Sequence, residues 1–308
     1  MTDLKPCAAL RSADEPRLQE LDRVLERDPA AIEALRERAG LLREQGLFEA
    51  AKRDYLALIR RAPTDFTALN DFGALVLKAG YREAARSLFG QAVHQHPDNA
   101  NGRVNLGNLL LLLGELEAAQ AQFEAALVLD ADHVHAHRGL GNLLAERGDE
   151  AGARRHRDRG FKDRAVTVLP YRGTAPPVAL LLLVAAAGGN IPTDTLLDDR
   201  RFATTVLVAE YADPNAPLPP HDLVFNAIGD ADLCAEALDA AATLIARSPK
   251  PVVNHPLTVR DTGRLANAER LRCLSGVIVP RLAAVPRERL ATAQTAAAAV
   301  AQSGLDFP

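Results

Sequence analysis

Leu106-Gly107-Asn108-Leu109-Leu110 recurs unchanged at residues 140–144, a distance of 34 positions along the chain. The same interval separates four glycines, which are Gly46, Gly80, Gly114 and Gly148. Prolines at residues 29, 63 and 97 keep this interval as well. A fixed period of 34 residues indicates a stack of similar two-helix units, and such stacks provide binding surfaces. We therefore expect the front half of the chain to bind a partner, and any chemistry to come from the other half.

Small and aromatic residues follow the same period and predict how the helices pack. Small side chains allow the two helices of a unit to approach closely, and they form two series: Ala39, Gly73, Gly107 and Gly141, then Ala51, Ala85, Ala119 and Ala153. Tyr55, Phe89 and Phe123 are expected to fill the space between neighbouring units. The four glycines fit a left-handed residue that ends each first helix. Proline then ends the second helix.

The repeated segment resembles the tetratricopeptide repeat, over residues of about 15–165. The resemblance implies repeats at 32–65, 66–99, 100–133 and 134–161. In the last repeat Arg157 replaces the aromatic residue and the second helix is rich in arginine, which suits a terminal capping unit. A lone helix is predicted near residues 15–28, and residues 1–14 are predicted to be poorly ordered.

The resemblance implies a peptide-binding or protein-binding groove along the inner face of the first helices. The predicted groove residues are Arg36, Asn70, Asn101, Asn105, Asn108, Arg138 and Asn142. Asparagine side chains offer both a donor and an acceptor, which suits the backbone of an extended peptide. The alternative is that these residues are solvated polar positions of a stacking scaffold.

A histidine cluster at residues 133, 135 and 137 raises the alternative of a metal site. His133 and His137 lie one helical turn apart and could share a metal ion. However, no carboxylate or cysteine completes the set, so we predict no metal site.

Composition limits the other function classes. The 308 residues have a formal net charge of −4 and three cysteines, of which Cys234 and Cys273 are predicted to be buried structural thiols. A nearly neutral balance gives no support for nucleic acid or an anionic membrane as a partner. The N-terminus does not resemble a signal peptide, and the apolar run at residues 178–187 is too short to span a bilayer. We therefore expect a cytoplasmic protein.

The second half of the chain, residues 178–308, follows a proline-containing linker at residues 166–177. Strands are predicted at residues 178–184, 205–209, 223–227, 252–253 and 277–279. Helices are predicted at residues 231–246, 257–274 and 287–302. Alternating strands and helices favour a Rossmann-like, three-layer α/β domain with a parallel sheet. The overall prediction is a helical solenoid followed by this α/β domain.

Ligands of parallel sheets bind at the loops that follow the strands. Here those loops contain Gly188, Gly189 and Asn190, then Asn226, then Asn254. The Gly-Gly-Asn loop lacks the three-glycine dinucleotide motif, so tight-turn chemistry alone could explain it.

Three segments of this half resemble the pre-ATP-grasp domain of carboxylate–amine ligases. They are Asp222–Asp230, Val252–Pro256 with Thr262-Gly263-Arg264, and Leu274–Arg281. The resemblance implies that Arg264 stands where the family has a lysine that contacts nucleotide phosphate. The ATP-grasp fold itself, with its ATP and Mg²⁺ ligands, would begin near residue 305, where the chain stops.

Three functions follow as expectations. The first is a non-catalytic protein-binding scaffold without a cofactor, because no catalytic motif occurs within the 308 residues. The second is a fragment of a longer ATP-dependent carboxylate–amine ligase whose substrate the repeats recruit. The third is a fragment of a repeat-linked glycosyltransferase, which would need a second Rossmann-like domain.

Overall fold

The computed structural model describes residues 15–193, 195–285, 287–290 and 292–303. The chain contains two compact units. The first, the helical unit, contains the described residues up to Arg164 with Tyr171–Pro177 and Asp199–Arg201. The second, the α/β unit, contains Ala165–Pro170, Val178–Asp198 and the described residues from Phe202 onward. Residues 1–14, with their predicted disorder, and Cys7 lie outside the described residues.

The helical unit contains nine α-helices among its described residues. They are α1 (Glu15–Arg27), α2 (Ile32–Glu44), α3 (Phe48–Arg61), α4 (Phe66–Lys78), α5 (Arg82–Gln95), α6 (Ala100–Leu112), α7 (Leu116–Leu129), α8 (Val134–Glu146) and α9 (Glu150–Phe161). The pairs α2–α3, α4–α5, α6–α7 and α8–α9 form helical hairpins, one in each predicted repeat. The predicted period and the lone helix at the front are confirmed.

The ends of the helices follow the periodic residues. Gly46, Gly80, Gly114 and Gly148 all have positive φ angles, between 75° and 89°. Each glycine can therefore adopt the left-handed conformation in which the first helix of a hairpin ends. At the other end of the first helices, the side chains of Asp65, Asn99 and His133 accept hydrogen bonds from backbone N–H groups and cap α4, α6 and α8.

Close contact between a glycine and an aromatic ring holds each central hairpin together. A Cβ atom added to Gly73 would lie 2.7 Å from Phe89, and one added to Gly107 would lie 2.7 Å from Phe123. The Phe123 ring also approaches Gly139 of the next hairpin, where an added Cβ would lie 2.5 Å from it. Phe123 is fully buried, so one ring fills both the gap within a hairpin and the gap between hairpins.

The two ends of the helical array depart from this pattern. Helix α1 packs on α2, and its Leu21 lies 34 residues before Tyr55 and is buried in the same way. Helix α1 therefore occupies the place of a second helix in front of the first hairpin. At the other end, the aliphatic part of the Arg157 side chain packs against Gly141. A Cβ atom added to Gly141 would lie 2.9 Å from the Cγ atom of Arg157.

A mixed five-stranded sheet forms the centre of the α/β unit. Its strands are β1 (Val166–Val168), β2 (Val178–Val184), β3 (Phe202–Val208), β4 (Leu223–Asn226) and β5 (Val252–Val253), and their spatial order is β1-β3-β2-β4-β5. Strands β3, β2, β4 and β5 are parallel, whereas β1 pairs antiparallel with β3. The prediction of an all-parallel sheet is therefore wrong at β1, which lies in the predicted linker.

The helices of this unit are shorter than predicted. They are α10 (Ala235–Ile245), α11 (Pro256–Arg260), α12 (Arg264–Arg272) and α13 (Ala293–Ser303), with a 3₁₀ turn at Arg287–Leu290. Among the described residues, only the connection from β4 to β5 passes through an α-helix. The α/β unit thus contains a mixed five-stranded sheet with helices, and its Rossmann-like architecture stays a prediction.

Local chemistry explains the two largest differences. The predicted helix at 257–274 is interrupted because the Thr262 hydroxyl donates to the carbonyl of Val259 and Gly263 begins a new helix. The predicted strand at 277–279 does not form. Gly276 with φ of 78° precedes it, Pro280 follows it, and Ile278 is 98% exposed. An apolar run that sequence patterns assign to a core is therefore exposed.

The glycine–aromatic contact gives a testable prediction. Gly107→Ala should lower the midpoint of thermal unfolding, because overpacking against Phe123 costs about 1–3 kcal/mol and outweighs a helix-propensity gain of about 0.5–1 kcal/mol. The matched control is Gly90→Ala in α5, where an added Cβ meets nothing within 4 Å and should stabilise the protein. Circular dichroism at the helical minimum measures both. Equal shifts for the two variants would contradict the packing role.

Candidate functional site

The first helices form the inner layer of the helical array. Helix α2 packs beside α4 and helix α6 beside α8, whereas contacts between successive second helices are sparser among the described residues. A hydrogen bond of 2.6 Å from Asn105 Nδ2 to Asn70 Oδ1 joins α6 to α4 in the same layer. The more closely spaced layer is the inner side of a curved array, so the first helices line its groove.

Five of the seven predicted groove residues are engaged within the chain. Asn70 and Asn105 bond to each other, and the Asn101 side chain accepts a hydrogen bond from His133 Nε2 at 3.1 Å. The other two engaged residues are Arg36 and Arg138, and both side chains bond to other residues of the helical unit.

The two groove arginines have different environments. The Arg36 guanidinium bonds to the carboxylates of Asp65 and Glu33, and these bonds raise its pKa further. Arg138 has no carboxylate partner in the described residues; its Nε donates to the carbonyl of Gly160 at 2.8 Å. Its guanidinium also lies 4.1 Å from the ring centre of Phe161. Burial, and then the charge of Arg164, lower the pKa of Arg138, which nevertheless remains a cation.

Asn108 and Asn142 differ from the other five. Both side chains are exposed, and neither has a hydrogen-bond partner among the described residues. Asn108 directly follows Gly107, and Asn142 directly follows Gly141. Both glycines pack against the second helix of their hairpin, so each asparagine side chain lies on the neighbouring face of its first helix. On α6, Asn108 shares a stripe with Asn105, which reaches α4 within the inner layer. The two amides are therefore available donors and acceptors on the groove face.

The groove surface changes character along the array. The positions that correspond to Asn108 in the first two hairpins are Gly40 and Ala74, which carry no polar side chain. Further along α6, Leu112 is 55% exposed and continues the stripe. On α8, exposed His135 lies on the stripe of Asn142. The sequence prediction missed Leu112 and His135. For His135 a usable signal was present, because it lies 34 residues after the groove position Asn101.

In the α/β unit, the predicted loops meet beyond the carboxyl ends of β2 and β4. The Gly189 carbonyl accepts hydrogen bonds from the backbone N–H groups of Gly229 at 2.9 Å and Asp230 at 3.1 Å. Because β3 lies on one side of β2 and β4 on the other, this is a point where the order of the strands reverses. Gly188 has φ of 93°, and an added Cβ would meet nothing there.

The three predicted asparagines in these loops bond to the backbone. Asn190 accepts from the N–H of Ala185 at 2.8 Å and donates to its carbonyl at 2.9 Å. Asn226 is fully buried, and its Nδ2 donates to the Asn254 carbonyl at 3.0 Å. Asn254 returns a bond of 2.8 Å to the Asn226 carbonyl from a left-handed conformation with φ of 57°. The Asn226 and Asn254 amides thus connect the ends of β4 and β5, and the Asn190 amide closes the loop that follows β2.

Arg264 lies beside the same loops. Its guanidinium is 3.5 Å from the Asp230 carboxylate and 3.6 Å from that of Asp232, and its side chain is 74% exposed.

Cys234 is buried and its thiol donates to the carbonyl of Gly188 at 3.2 Å. Cys273, by contrast, is exposed, so the prediction that both cysteines are buried is wrong for Cys273. Helix α12 presents that residue at its solvent-exposed C-terminal end.

The structure pairs the histidines that raised the alternative of a metal site with other residues. His137 bonds to His156, and His133 bonds to Asn101. Among the described residues, no three His, Cys, Asp or Glu side chains are arranged to hold a metal ion. In the same part of the chain, no helix is long and apolar enough to cross a bilayer.

Comparison with known proteins identifies the repeats. Two family models of the tetratricopeptide repeat match residues 76–127 and 113–160. The helical hairpins within residues 76–160 therefore match tetratricopeptide repeats, and the predicted resemblance is confirmed there. No curated protein matches the chain.

Solved structures similar to the chain cover about half of it. MamA from Desulfovibrio magneticus RS-1 is 22% identical over 49% of this chain and 85% of that chain, with a TM-score of 0.45. YrrB, which is described as a tetratricopeptide repeat protein with an unusual peptide-binding site, is 22% identical over 48% of this chain and 76% of that chain, with a TM-score of 0.42.

Proposed function

We propose that the helical unit binds an extended peptide segment of a partner protein along the inner face of its first helices. The observation that carries this proposal is the pair of exposed amides on Asn108 and Asn142, which have no partner among the described residues. Other polar groove residues are already engaged, as in the Asn105–Asn70 bond. An extended peptide leaves backbone N–H and C=O groups unpaired, and a carboxamide can serve both.

The chemistry of the groove between α6 and α8 favours an uncharged ligand segment. Asn101, Asn108 and Asn142 are neutral, and Leu112 offers an exposed apolar surface beside them. Arg138 of α8 is a cation, but its guanidinium is already held by the Gly160 carbonyl and the Phe161 ring. An apolar side chain of the ligand would bury part of Leu112 while its backbone meets the two amides. The preferred partner is thus an extended, largely uncharged segment that carries apolar side chains.

Peptide binding can be tested with a random library of peptides of about twelve residues, displayed on phage and selected on the wild-type chain. The affinity of the selected peptides is then measured by fluorescence anisotropy. Asn108→Ala combined with Asn142→Ala should weaken binding about 5-fold to 100-fold, because each lost hydrogen bond contributes about 0.5–1.5 kcal/mol.

The control for this experiment is Gln95→Ala, which removes an exposed amide from the second helix α5. This change should leave the affinity unchanged, because the side chain lies outside the inner layer. Unchanged binding by the double variant, or a library that yields no binding peptide, would contradict the proposal.

A second proposal concerns the α/β unit, which we infer binds a small molecule at the loops beyond β2 and β4. The reversal of strand order and the open space above Gly188 support it. The resemblance to carboxylate–amine ligases suggests a nucleotide, with Gly188, Gly189, Asn190, Asn226, Asn254 and Arg264 around it. The function as a ligase, with repeats that recruit its substrate, and the glycosyltransferase alternative rest on the sequence alone.

Calorimetric titration of the chain with ATP and Mg²⁺ tests the nucleotide proposal. Gly188→Val should reduce binding by at least about tenfold. The valine side chain would enter the open space, and valine would be strained at the positive φ angle of this position. An absence of heat from the wild-type chain, or equal binding by the variant, would contradict a nucleotide site in these loops.

A further inference from the structure

A cleft of about 330 Å³ lies on the outer side of the last two hairpins. It opens between α7 and α9, which are second helices, and the first helix α8 forms its floor. Because the first helices form the inner layer, this outer cleft is separate from the proposed peptide groove. The residues that line it include Glu124, Leu127, Val128, Leu140, Leu144 and His156.

The front of the array has a cleft at the same place in the period, but its walls are ionic. Arg38 and Asp54 line that front cleft and lie 102 residues, or three periods, before Leu140 and His156. The Arg38 guanidinium donates to both carboxylate oxygens of Asp54 at 2.7 Å and to Asp22 at 2.6 Å. The ionic groups of the front cleft therefore satisfy one another, whereas the outer cleft has leucine and valine walls.

In the second hairpin, large apolar residues occupy the same positions. Phe72 and Leu88 lie 68 residues, or two periods, before Leu140 and His156. Phe72 is 7% exposed, and its ring stacks on that of Tyr55 with 5.7 Å between the ring centres. Leu88 packs against the same core cluster. The fourth hairpin has a smaller aliphatic residue and an imidazole instead, so the gap beside α7 stays open.

Val128 joins the outer cleft to the protein surface. It lines the cleft, and yet 87% of it is exposed. A single exposed apolar residue is ordinary on a protein surface, but an exposed apolar residue on the wall of an open apolar cleft marks an interaction site. An apolar side chain from another molecule would cover Val128 and the walls of the cleft together.

A basic stripe on α9 borders the outer cleft. From Arg154 to Lys162 the chain has five cations and one acid, Asp158. Arg155, Arg159 and Lys162 form the stripe, because they are exposed and follow one another at intervals of one helical turn. None of these three side chains has a hydrogen bond or an ion pair with another described residue. The stripe is therefore free to pair with anionic groups of a partner.

The environment of His156 shows that the stripe lies beside the cleft. Burial lowers the pKa of His156, and the charges of His137, Arg159 and Arg155 lower it further. Glu124, which lines the cleft from α7, opposes this only weakly. Its carboxylate already accepts a hydrogen bond of 2.6 Å from a side chain of the same helix. Two cations without partners thus stand at the edge of the cleft, opposite one acid that has a partner.

We propose that the outer cleft and the basic stripe dock an acidic segment of a partner protein, with one apolar side chain of that segment in the cleft. Carboxylates of the segment pair with Arg155 and Arg159, since guanidinium and carboxylate groups form charge-assisted hydrogen bonds. Exposed ion pairs alone contribute little affinity, and the buried apolar side chain supplies the remainder.

The same surface is less suited to nucleic acid. Bases bind by stacking on aromatic side chains, and among the residues that line the cleft His156 has the single ring. The net charge of −4 on the chain also disfavours a long polyanion. The chemistry therefore favours a short acidic segment with an apolar residue.

Acid-rich peptides displayed on phage test this docking. Each peptide of about twelve residues has aspartate, glutamate, serine or glycine at every position except a central one, which is leucine, isoleucine, phenylalanine or tryptophan. Selection on the wild-type chain should yield binders whose affinity, measured by fluorescence anisotropy, falls between about 50 mM and about 300 mM salt. Serine in place of the central residue should weaken binding about tenfold. A library without binders, or binding that does not need the central residue, would overturn the proposal.

Charge reversal on α9 locates the site. Arg155→Glu with Arg159→Glu should weaken the selected peptides at least about tenfold. The matched control is Arg53→Glu with Arg60→Glu, which changes the net charge equally at exposed positions of α3. Arg53 lies three periods before Arg155, beside the front cleft with its ionic walls. The control should change the affinity less than about twofold. Equal losses in the two variants would mean attraction to overall charge and would also overturn the proposal.

A substitution in the cleft wall separates the outer face from the inner face. Val128→Asp should weaken the selected peptides at least about tenfold, and it should leave the fold intact because Val128 is largely exposed. The same change at exposed Leu112, on the inner face of α6, should leave the affinity unchanged. Weaker binding by the Leu112→Asp variant with normal binding by the Val128→Asp variant would place the peptide in the inner groove and contradict the proposal.

Competition decides the class of partner. A single-stranded oligonucleotide of about twelve nucleotides should displace the labelled peptide much less effectively than the unlabelled peptide does. Equal displacement would show that the surface recognises a polyanion, and the proposal of a protein partner would fail. The inner groove is tested with different peptides, so failure of one proposal does not affect the other.

Discussion

The helical unit depends on the close approach of a first helix to an aromatic ring on the second helix. Gly73 and Gly107 leave space that Phe89 and Phe123 fill, and no side chain of ordinary size would fit between them. Because Phe123 also touches Gly139 of the following hairpin, the same contact sets the spacing between hairpins. A fixed spacing brings the first helices together as one layer. The groove and its amides are consequences of this packing.

The periodic part of the structure was predictable because each residue in the period has a local physical role. Glycines with positive φ end the first helices, and small residues face aromatic rings at the predicted positions. The α/β unit was less predictable, because strand pairing depends on distant segments. The antiparallel addition of β1 to β3, for example, does not follow from a local pattern.

The candidate site was likewise predictable only in part. The sequence identified a row of polar residues, but it could not distinguish those that bond within the array from those that are available. Asn105 and Asn108 are only three residues apart, yet Asn105 bonds to Asn70 and Asn108 has no partner among the described residues. That difference depends on the neighbouring hairpin. In the same way, spacing alone raised the alternative that His133 and His137 share a metal ion, whereas His137 bonds to His156 across the hairpin.

The central claim is that a peptide binds to the unengaged amides of the groove. The most direct measurement is the NMR signal of the asparagine side-chain NH₂ groups during titration with a selected peptide. The account predicts that the signals of Asn108 and Asn142 shift with the fraction bound, while those of buried Asn226 and of the backbone-bonded Asn190 do not move. Saturated binding with no shift at Asn108 and Asn142 would contradict it.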